Sequence, residues 1–269
     1  MMKIAFLQMD CHFGKVDENL TTAGALLPGI SADLVVLPEL FHCGYYFSSA
    51  LEAAEFAESV PDGRTTQFLI EWAAKKQCHI VAGVAERYKD SLFNSAVLVG
   101  PSGFISVYRK IHLFNEEKTW FSPGEIPFFV VDIGSARLGM MICFDWFFPE
   151  SVRSLALLGA DIICHPANLV LPFCQKAMIT RCLENRVFAV TANRIGMDER
   201  PHGRLTFTGC SQIISPFGEI LAAAGKDEES ICSIDVNVEQ ARSKKLTRHN
   251  DLFADRRPQY YFGGDRGRD

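Results

Sequence analysis

The sequence lacks several patterns that would place it in a specialised class of protein. No C-x-x-C pair occurs among its nine cysteines, which argues against the zinc sites that such pairs usually mark. No apolar run approaches the roughly 18 residues that a membrane-spanning helix needs, so we expect no membrane partner. The net charge is −5, and the basic excess that is typical of nucleic-acid-binding proteins is therefore missing.

Two further absences concern the compartment and the division of the chain. The first residues, MMKIAFLQMDCH, turn polar early and lack the cleavage site of a signal peptide. Because a chain of 269 residues does not need disulfides for stability, we expect a cytoplasmic protein with reduced thiols. No Gly-, Ser- or Pro-rich linker interrupts the sequence, which predicts one domain over residues 1–269. Residues 242–269 would form a charged C-terminal arm or tail, of which 263–269 fit a frayed terminus equally well.

The remaining composition is that of a globular protein, with 48% hydrophobic and 22% charged residues. Short apolar runs bounded by turn residues predict strands at 3–9, 33–37, 79–85, 95–99, 104–108, 128–133, 138–143, 161–165, 187–192, 211–215 and 231–236. Helical patterns lie at 18–27, 65–76, 149–158 and 175–186. Strands that alternate with helices and also cluster into hairpins predict an α/β protein with mixed sheets and outer helices.

Three reactive side chains lie at or just beyond the ends of predicted strands. Glu39 follows the run LVVLP, Lys110 follows FISVYR, and Cys143 ends LGMMIC. Strand ends are where α/β proteins usually build their sites. Each residue alone is ordinary, since a Glu or Lys there is usually solvated and a Cys in an apolar strand is usually a core residue.

Taken together, these residues lie in a family pattern. The segments LPELF (37–41), YRKIHLF (108–114) and GMMICFDWFFPE (139–150) resemble the three signature blocks of the nitrilase superfamily, the carbon–nitrogen hydrolases. The Glu, Lys and Cys occur in the family's order, 71 and 33 residues apart. Further similar segments extend the resemblance over roughly residues 3–261: WFSPG (120–124), RCLENR (181–186), TANR (191–194) and DRRP (255–258).

The resemblance implies a fold, an assembly and a set of roles. The fold would be a four-layer α-β-β-α sandwich of two mixed sheets, and the assembly a homodimer or a higher homo-oligomer. Cys143 would be the nucleophile and Glu39 its general base, because a free thiol is mostly protonated at neutral pH. Lys110 and the backbone N–H of Phe144 would stabilise the oxyanion, and Glu117 would be a fourth site residue. The reaction would use no metal and no organic cofactor.

The substrate is less closely defined by the sequence. Phe144 and Asp145 after the nucleophile favour hydrolysis of small aliphatic amides, because true nitrilases usually have Trp-Glu there. Residues 141–150 and 165–170 nevertheless resemble short archaeal and bacterial nitrilase-type proteins, so hydrolysis of small nitriles remains an alternative. Two further alternatives are that the protein hydrolyses N-carbamoyl amines, or that it keeps the fold as a non-catalytic interaction protein.

Segments that flank the three blocks supply candidate substrate-binding residues. They are Tyr45, Trp120, Trp146 and Asn168. Aromatic side chains of this kind predict a narrow, mostly apolar pocket that suits a small linear substrate. Arg194 and His165 are the two candidates for binding a substrate carboxylate.

Overall fold

Two six-stranded sheets form the centre of the molecule. A computed structural model describes residues 1–261, so the segment 263–269 lies outside the described residues. The first sheet has the spatial order β14 (Ser230–Val236), β1 (Met2–Gln8), β2 (Leu34–Val36), β3 (His79–Tyr88), β4 (Ser91–Gly100), β5 (Gly103–Arg109). The second has the order β13 (Ile220–Ala223), β12 (Gln212–Ile214), β9 (Phe188–Asn193), β8 (Ile162–Ala167), β7 (Arg137–Met140), β6 (Val130–Asp132). Both contain parallel and antiparallel pairs.

The helices and a small hairpin complete the described chain. The α-helices are α1 (Val16–Leu26), α2 (Ala50–Phe56), α3 (Arg64–Lys76), α4 (Glu117–Trp120), α5 (Pro149–Leu157), α6 (Cys174–Asn185) and α7 (Glu239–Arg242). Short 3-10 helices occupy Leu27–Gly29, Cys143–Phe147 and Pro258–Tyr260. Strands β10 (Met197–Arg200) and β11 (Gly203–Thr206) form a separate antiparallel pair.

The layers follow from the alternation of side chains along each strand. In β1, Ile4 and Phe6 belong to the core that joins the two sheets, whereas Ala5 and Leu7 pack with the buried faces of α1 and α3. Successive side chains of a strand point to opposite faces, so one apolar strand serves two layers. Helices α5 and α6 cover the second sheet in the same way. The result is the expected α-β-β-α sandwich of two mixed sheets.

Some predicted boundaries differ from the structure for physical reasons. The strand predicted at 138–143 ends at Met140, because Cys143 has a left-handed φ of 38° and begins a 3-10 helix. A left-handed residue cannot continue a strand. The pair β10–β11 was not predicted, because its strands carry charged residues among few apolar ones. The helix α2 was not predicted either, because its seven residues are too few to show a helical period.

The C-terminal segment, as far as Tyr261, packs on the chain's own helices. Lys244 Nζ donates to the carbonyl oxygens of Asn185 and Arg186 at the end of α6. Phe253 packs against the central core. Among the helices of residues 1–261, none combines the length and the apolar composition of a membrane-crossing segment.

Candidate active site

The structure brings four of the predicted site residues into one buried cluster. Glu39 lies in the loop after β2, Lys110 directly follows β5, Glu117 begins α4, and Cys143 begins the 3-10 helix after β7. The exposed fraction is 0% for Glu39 and Glu117, 1% for Lys110 and 7% for Cys143. Charged residues are rarely buried this completely unless they are paired.

Lys110 is the centre of that cluster. Its Nζ lies 2.8 Å from Oε1 of Glu39 and 2.8 Å from Oε1 of Glu117. Burial alone would lower the pKa of Lys110, but the carboxylates of Glu117 and Glu39 outweigh it and raise that pKa. Lys110 therefore keeps its positive charge throughout the physiological pH range.

Neighbouring donors hold the two carboxylates in place. Asn94 donates to Oε1 of Glu39 over 2.7 Å, and the Tyr45 hydroxyl donates to Oε1 of Glu117 over 2.6 Å. Oε2 of Glu117 accepts from the backbone N–H of Phe114. Within the described chain, Oε2 of Glu39 is buried and has no hydrogen-bond partner. It is the one carboxylate oxygen of the pair that remains free to accept a proton.

The backbone at Cys143 is held in a strained conformation. Its φ of 38° is left-handed, which costs a residue with a side chain about 1 kcal/mol or more. His165 Nε2 donates to the Cys143 carbonyl over 3.0 Å, and its Nδ1 accepts from the Thr191 hydroxyl over 3.1 Å. Burial lowers the pKa of His165 to about 4, so the ring is neutral. His165 therefore supports the turn that carries Cys143.

The thiol of Cys143 is protonated at rest. Burial raises its pKa well above the usual value, and the negative charge of Glu39 raises it further. The positive charge of Lys110 and the backbone N–H of Asn168 act in the opposite direction without overcoming these effects. A thiol of this kind needs a base at the moment of attack, because only the thiolate is strongly nucleophilic.

Asp145 fixes the turn that carries Cys143. It accepts hydrogen bonds from the Tyr108 hydroxyl (2.8 Å), the Ile142 N–H (2.9 Å) and His112, whose Nδ1 lies 2.7 Å away. These bonds tie the 3-10 helix to the end of β5 and the segment after it. Asp145 therefore holds the backbone of the turn in place. Of the Phe-Asp pair, Phe144 is the residue that lines the pocket beside the thiol.

Two glycines allow the backbone to approach closely at the same site. A Cβ on Gly83 would lie 2.4 Å from Cα of Glu39, and a Cβ on Gly124 would lie 2.2 Å from the Arg109 carbonyl oxygen. Any other residue at either position would displace the backbone that carries Glu39 or Lys110. This explains the glycine of the segment WFSPG at 120–124.

A small pocket opens beside the cysteine. Its cavity volume is about 20 Å³, and its lining residues are Phe114, Cys143, Phe144, Trp146, Asn168, Leu169, Val170 and Leu171. Trp146 and Asn168 were predicted to line it. Tyr45 instead contacts Glu117, and Trp120 lies behind Tyr45 with its ring edge-on at 6.1 Å. Neither of these two is among the residues that line the pocket in the described chain.

Arg194 forms a buried ion-pair network with two aspartates. Its guanidinium pairs with Asp10 (2.9 Å) and Asp198 (3.1 Å) and is fully buried. Asp198 in turn accepts from the backbone N–H groups of Tyr45 and Tyr46. The pair therefore holds the loop from which Tyr45 reaches Glu117. Sequence reasoning missed Asp198 and Asn94, since neither lies in a family-like segment.

The arrangement offers a nucleophile, a base and a cation, without a set of metal ligands. Within residues 1–261, no group of three or more His, Cys, Asp or Glu side chains is placed to hold a metal ion. All nine cysteines are free thiols.

Comparison with known proteins assigns the family. The carbon–nitrogen hydrolase family model matches residues 3–246. A protein named nitrilase from Pyrococcus abyssi is 49% identical over 97% of this chain and 100% of its own length. An (R)-stereoselective amidase from a Pseudomonas species is 34% identical over 95% of this chain and 92% of its own length.

The fold has matches among solved structures as well. A carbon–nitrogen hydrolase from Helicobacter pylori G27 superposes with a TM-score of 0.87 and 26% identity, covering 97% of both chains. The sandwich predicted from the sequence is thereby confirmed. The match of the family model and the full-length relatives lead to one conclusion: the chain belongs to the nitrilase superfamily and is a carbon–nitrogen hydrolase.

Proposed function

We propose that this enzyme hydrolyses small aliphatic amides to the acid and ammonia through a thioester on Cys143. The observation that carries the proposal is the buried cluster in which Lys110 binds one oxygen of Glu39 and leaves the other free. That arrangement supplies a proton acceptor and a fixed cation next to a protonated thiol. Glu39, Lys110 and Cys143 are then catalytic residues, and Glu117 is a fourth residue of the site.

In the first half of the reaction, Oε2 of Glu39 takes the proton of the Cys143 thiol as the sulfur attacks the amide carbon. Negative charge develops on the amide oxygen, where Lys110 and the backbone N–H of Phe144 stabilise it. Glu39 then gives the proton to the amide nitrogen. The C–N bond breaks, ammonia leaves, and the acyl group remains on the sulfur as a thioester.

In the second half, a water molecule replaces the ammonia. Glu39 takes a proton from this water as its oxygen attacks the thioester carbon, and the same donors stabilise the second oxyanion. The carbon–sulfur bond breaks, and Glu39 returns the proton to the sulfur. The acid is released and the thiol form of Cys143 is restored. No other reactant is needed, because water and amide account for all the atoms of the products.

The size and lining of the pocket favour a substrate with a small and neutral acyl group. Its cavity volume of about 20 Å³ is far below the roughly 300–1,000 Å³ of pockets for larger ligands. Apart from Cys143 itself, the side chains that line this pocket are apolar except for Asn168, and no charged residue lines it in the described chain. A substrate carboxylate or ammonium group would be desolvated there without a partner.

Hydrolysis of small nitriles is the second candidate, and a specific comparison favours it. The relative from Pyrococcus abyssi that is named nitrilase is 49% identical over the full length. A nitrile would use the same thiol and the same base, with a thioimidate formed in place of the first tetrahedral intermediate. Asp145, which contributed to the preference for amides, contacts the protein and not the pocket.

The two candidates are separated by ammonia release from amides and nitriles that share the same alkyl group. Turnover of the amides at a higher kcat/KM than the matched nitriles supports the proposal. Turnover of nitriles alone, with the acid as product, would establish the second candidate in its place. Ammonia release from neither class would refute both.

Replacing Lys110 by methionine is expected to reduce both stability and turnover. Loss of the cation leaves two buried carboxylates uncompensated, a change that typically costs about 3–5 kcal/mol. Loss of an oxyanion donor costs about 100- to 1,000-fold in kcat. Adding Glu117→Gln to Lys110→Met removes one of the two charges, so we expect denaturant unfolding to recover partly while kcat stays low. Recovery of kcat together with stability would show that Lys110 serves folding only.

We propose in addition that the enzyme forms a homodimer across α5 and α6. Leu157 and Leu158 at the end of α5 and Leu183 on α6 are 42–46% exposed, and Phe217 and Ile220 nearby are 46% and 52% exposed. Clustered apolar side chains of this size usually mark an interface. Light scattering should give twice the chain mass for the wild type and a single chain for Leu183→Glu. A monomeric wild type would exclude the dimer.

A further inference from the structure

Asn168 is a buried side chain whose hydrogen-bonding groups are all unused. It is 2% exposed, and neither its Oδ1 nor its Nδ2 has a partner within residues 1–261. A buried amide without partners costs about 1–3 kcal/mol, so such a group calls for an explanation. Asn168 lines the pocket beside Cys143, among side chains that are otherwise apolar.

A second buried asparagine nearby shows what a purely structural role looks like. Asn193 Oδ1 accepts from the Leu169 N–H (2.8 Å), and its Nδ2 donates to the Thr208 hydroxyl and the Gly209 carbonyl. These bonds fix the backbone that follows Asn168. The side chain of Asn168 is therefore not needed to hold its own segment, and it lies at the pocket wall with both polar groups buried and unpaired.

The backbone of Asn168 places this side chain next to the reacting atoms. Its N–H forms a hydrogen bond to the Cys143 thiol and opposes the rise in the pKa of that group. A substrate carbon attacked by the sulfur lies within one bond of both the oxygen and the nitrogen of the amide. With the oxygen held by Lys110 and the Phe144 N–H, the nitrogen is left for another partner.

We infer that Oδ1 of Asn168 binds an N–H of the substrate carboxamide and thereby selects amides over nitriles, an inference that rests on the proposed function. A primary amide has two N–H donors, so one can bind Asn168 while the nitrogen lone pair takes the proton from Glu39. A nitrile nitrogen has no N–H and can only accept. It leaves Oδ1 unpaired, and a site built for a hydrogen bond rejects an analogue that lacks the donor.

The test is the ratio of kcat/KM for an amide to that for the nitrile with the same alkyl group. Asn168→Leu keeps the approximate shape and removes both polar groups, so we expect the ratio to fall about 10- to 100-fold. Asn168→Asp keeps an acceptor at the position of Oδ1, so its ratio should stay at or above the wild-type value. Both substrates use the same thiol, so a change in the pKa of Cys143 cancels in the ratio.

Asn185→Leu is the matched control. Asn185 is also fully buried with an unpaired Oδ1, but it lies at the end of α6 away from the pocket. Its variant should be less stable with an unchanged ratio. If the wild type hydrolyses no nitrile, the inhibition constant of the nitrile replaces its kcat/KM.

Three outcomes would overturn the inference. One is an equal fall in kcat/KM for the amide and the nitrile in Asn168→Leu. Another is a larger fall in kcat/KM for the nitrile, which would show that Nδ2 of Asn168 donates to the nitrile. Absence of amide turnover in the wild type would overturn the proposed function and this inference with it. Either of the first two outcomes, with amide turnover intact in the wild type, would overturn the inference alone.

Discussion

Replacing Cys143 by alanine is expected to lower ammonia release by about 10,000-fold or more, because removal of a nucleophile eliminates the covalent route. The thiol is 7% exposed and its backbone is held by bonds to its own carbonyl. Alanine can keep these bonds, so the melting temperature should change little. The measurement is kcat on the best amide together with thermal unfolding.

Cys232→Ala is the matched control for that variant. Cys232 lies on β14 at the edge of the first sheet, half-buried and remote from the pocket. Its kcat should equal that of the wild type. If Cys143→Ala kept more than about a tenth of the wild-type kcat, the covalent mechanism would be wrong, since uncatalysed attack by water is far slower.

Replacing Glu39 by glutamine is expected to lower kcat by about 1,000-fold, within the range of general acid–base catalysis. The neutral amide can keep the bond from Lys110 but cannot take the thiol proton. The same change removes the negative charge that raises the pKa of Cys143. The inflection of cysteine alkylation against pH should therefore move to lower pH while hydrolysis collapses.

A buried, paired carboxylate elsewhere gives the control for Glu39. Asp161 is 3% exposed and pairs with Arg242 at the opposite end of β8 from Asn168. Asp161→Asn should lower stability without affecting kcat or the alkylation profile. If Glu39→Gln raised the pH of the inflection, or left kcat near the wild-type value, Glu39 could not be the base for Cys143.

The sequence was sufficient for the parts of the site that lie at strand ends. Glu39, Lys110 and Cys143 lie at the ends of apolar runs whose period and length predict strands. The sandwich brings the ends of these strands together at one site. The positions of Trp146 and Asn168 next to Cys143 could likewise be predicted, because both lie within family-like segments, 139–150 and 165–170.

The supporting contacts could not be predicted, because they join residues far apart in the chain. Asn94 binds Glu39 across 55 positions, and Asp198 binds the Tyr45 backbone across 153. A single polar residue in a strand or hairpin carries no signal of its partner. Trp120 illustrates the same difficulty, because its edge-to-face contact with the Tyr45 ring could not be read from its place beside a motif.

The amide preference also rested on a weak part of the pattern. The Phe144-Asp145 pair indicates amide chemistry, yet the oxygens of Asp145 bind Tyr108, His112 and the Ile142 N–H. A residue used entirely for folding cannot by itself choose between two substrates. The unpaired amide of Asn168 is the structural feature that can, and sequence alone gives no sign that it is unpaired.

The most direct test of the central claim is the mass of the enzyme during turnover. Wild type is mixed with a saturating amide, quenched with acid and examined by mass spectrometry. We predict a population heavier by the mass of the acyl group, with the added mass on the peptide that contains Cys143, and no such population in Cys143→Ala. Ammonia release at the full wild-type rate with no acylated Cys143, even when deacylation is slowed by a bulkier acyl group, would contradict the account.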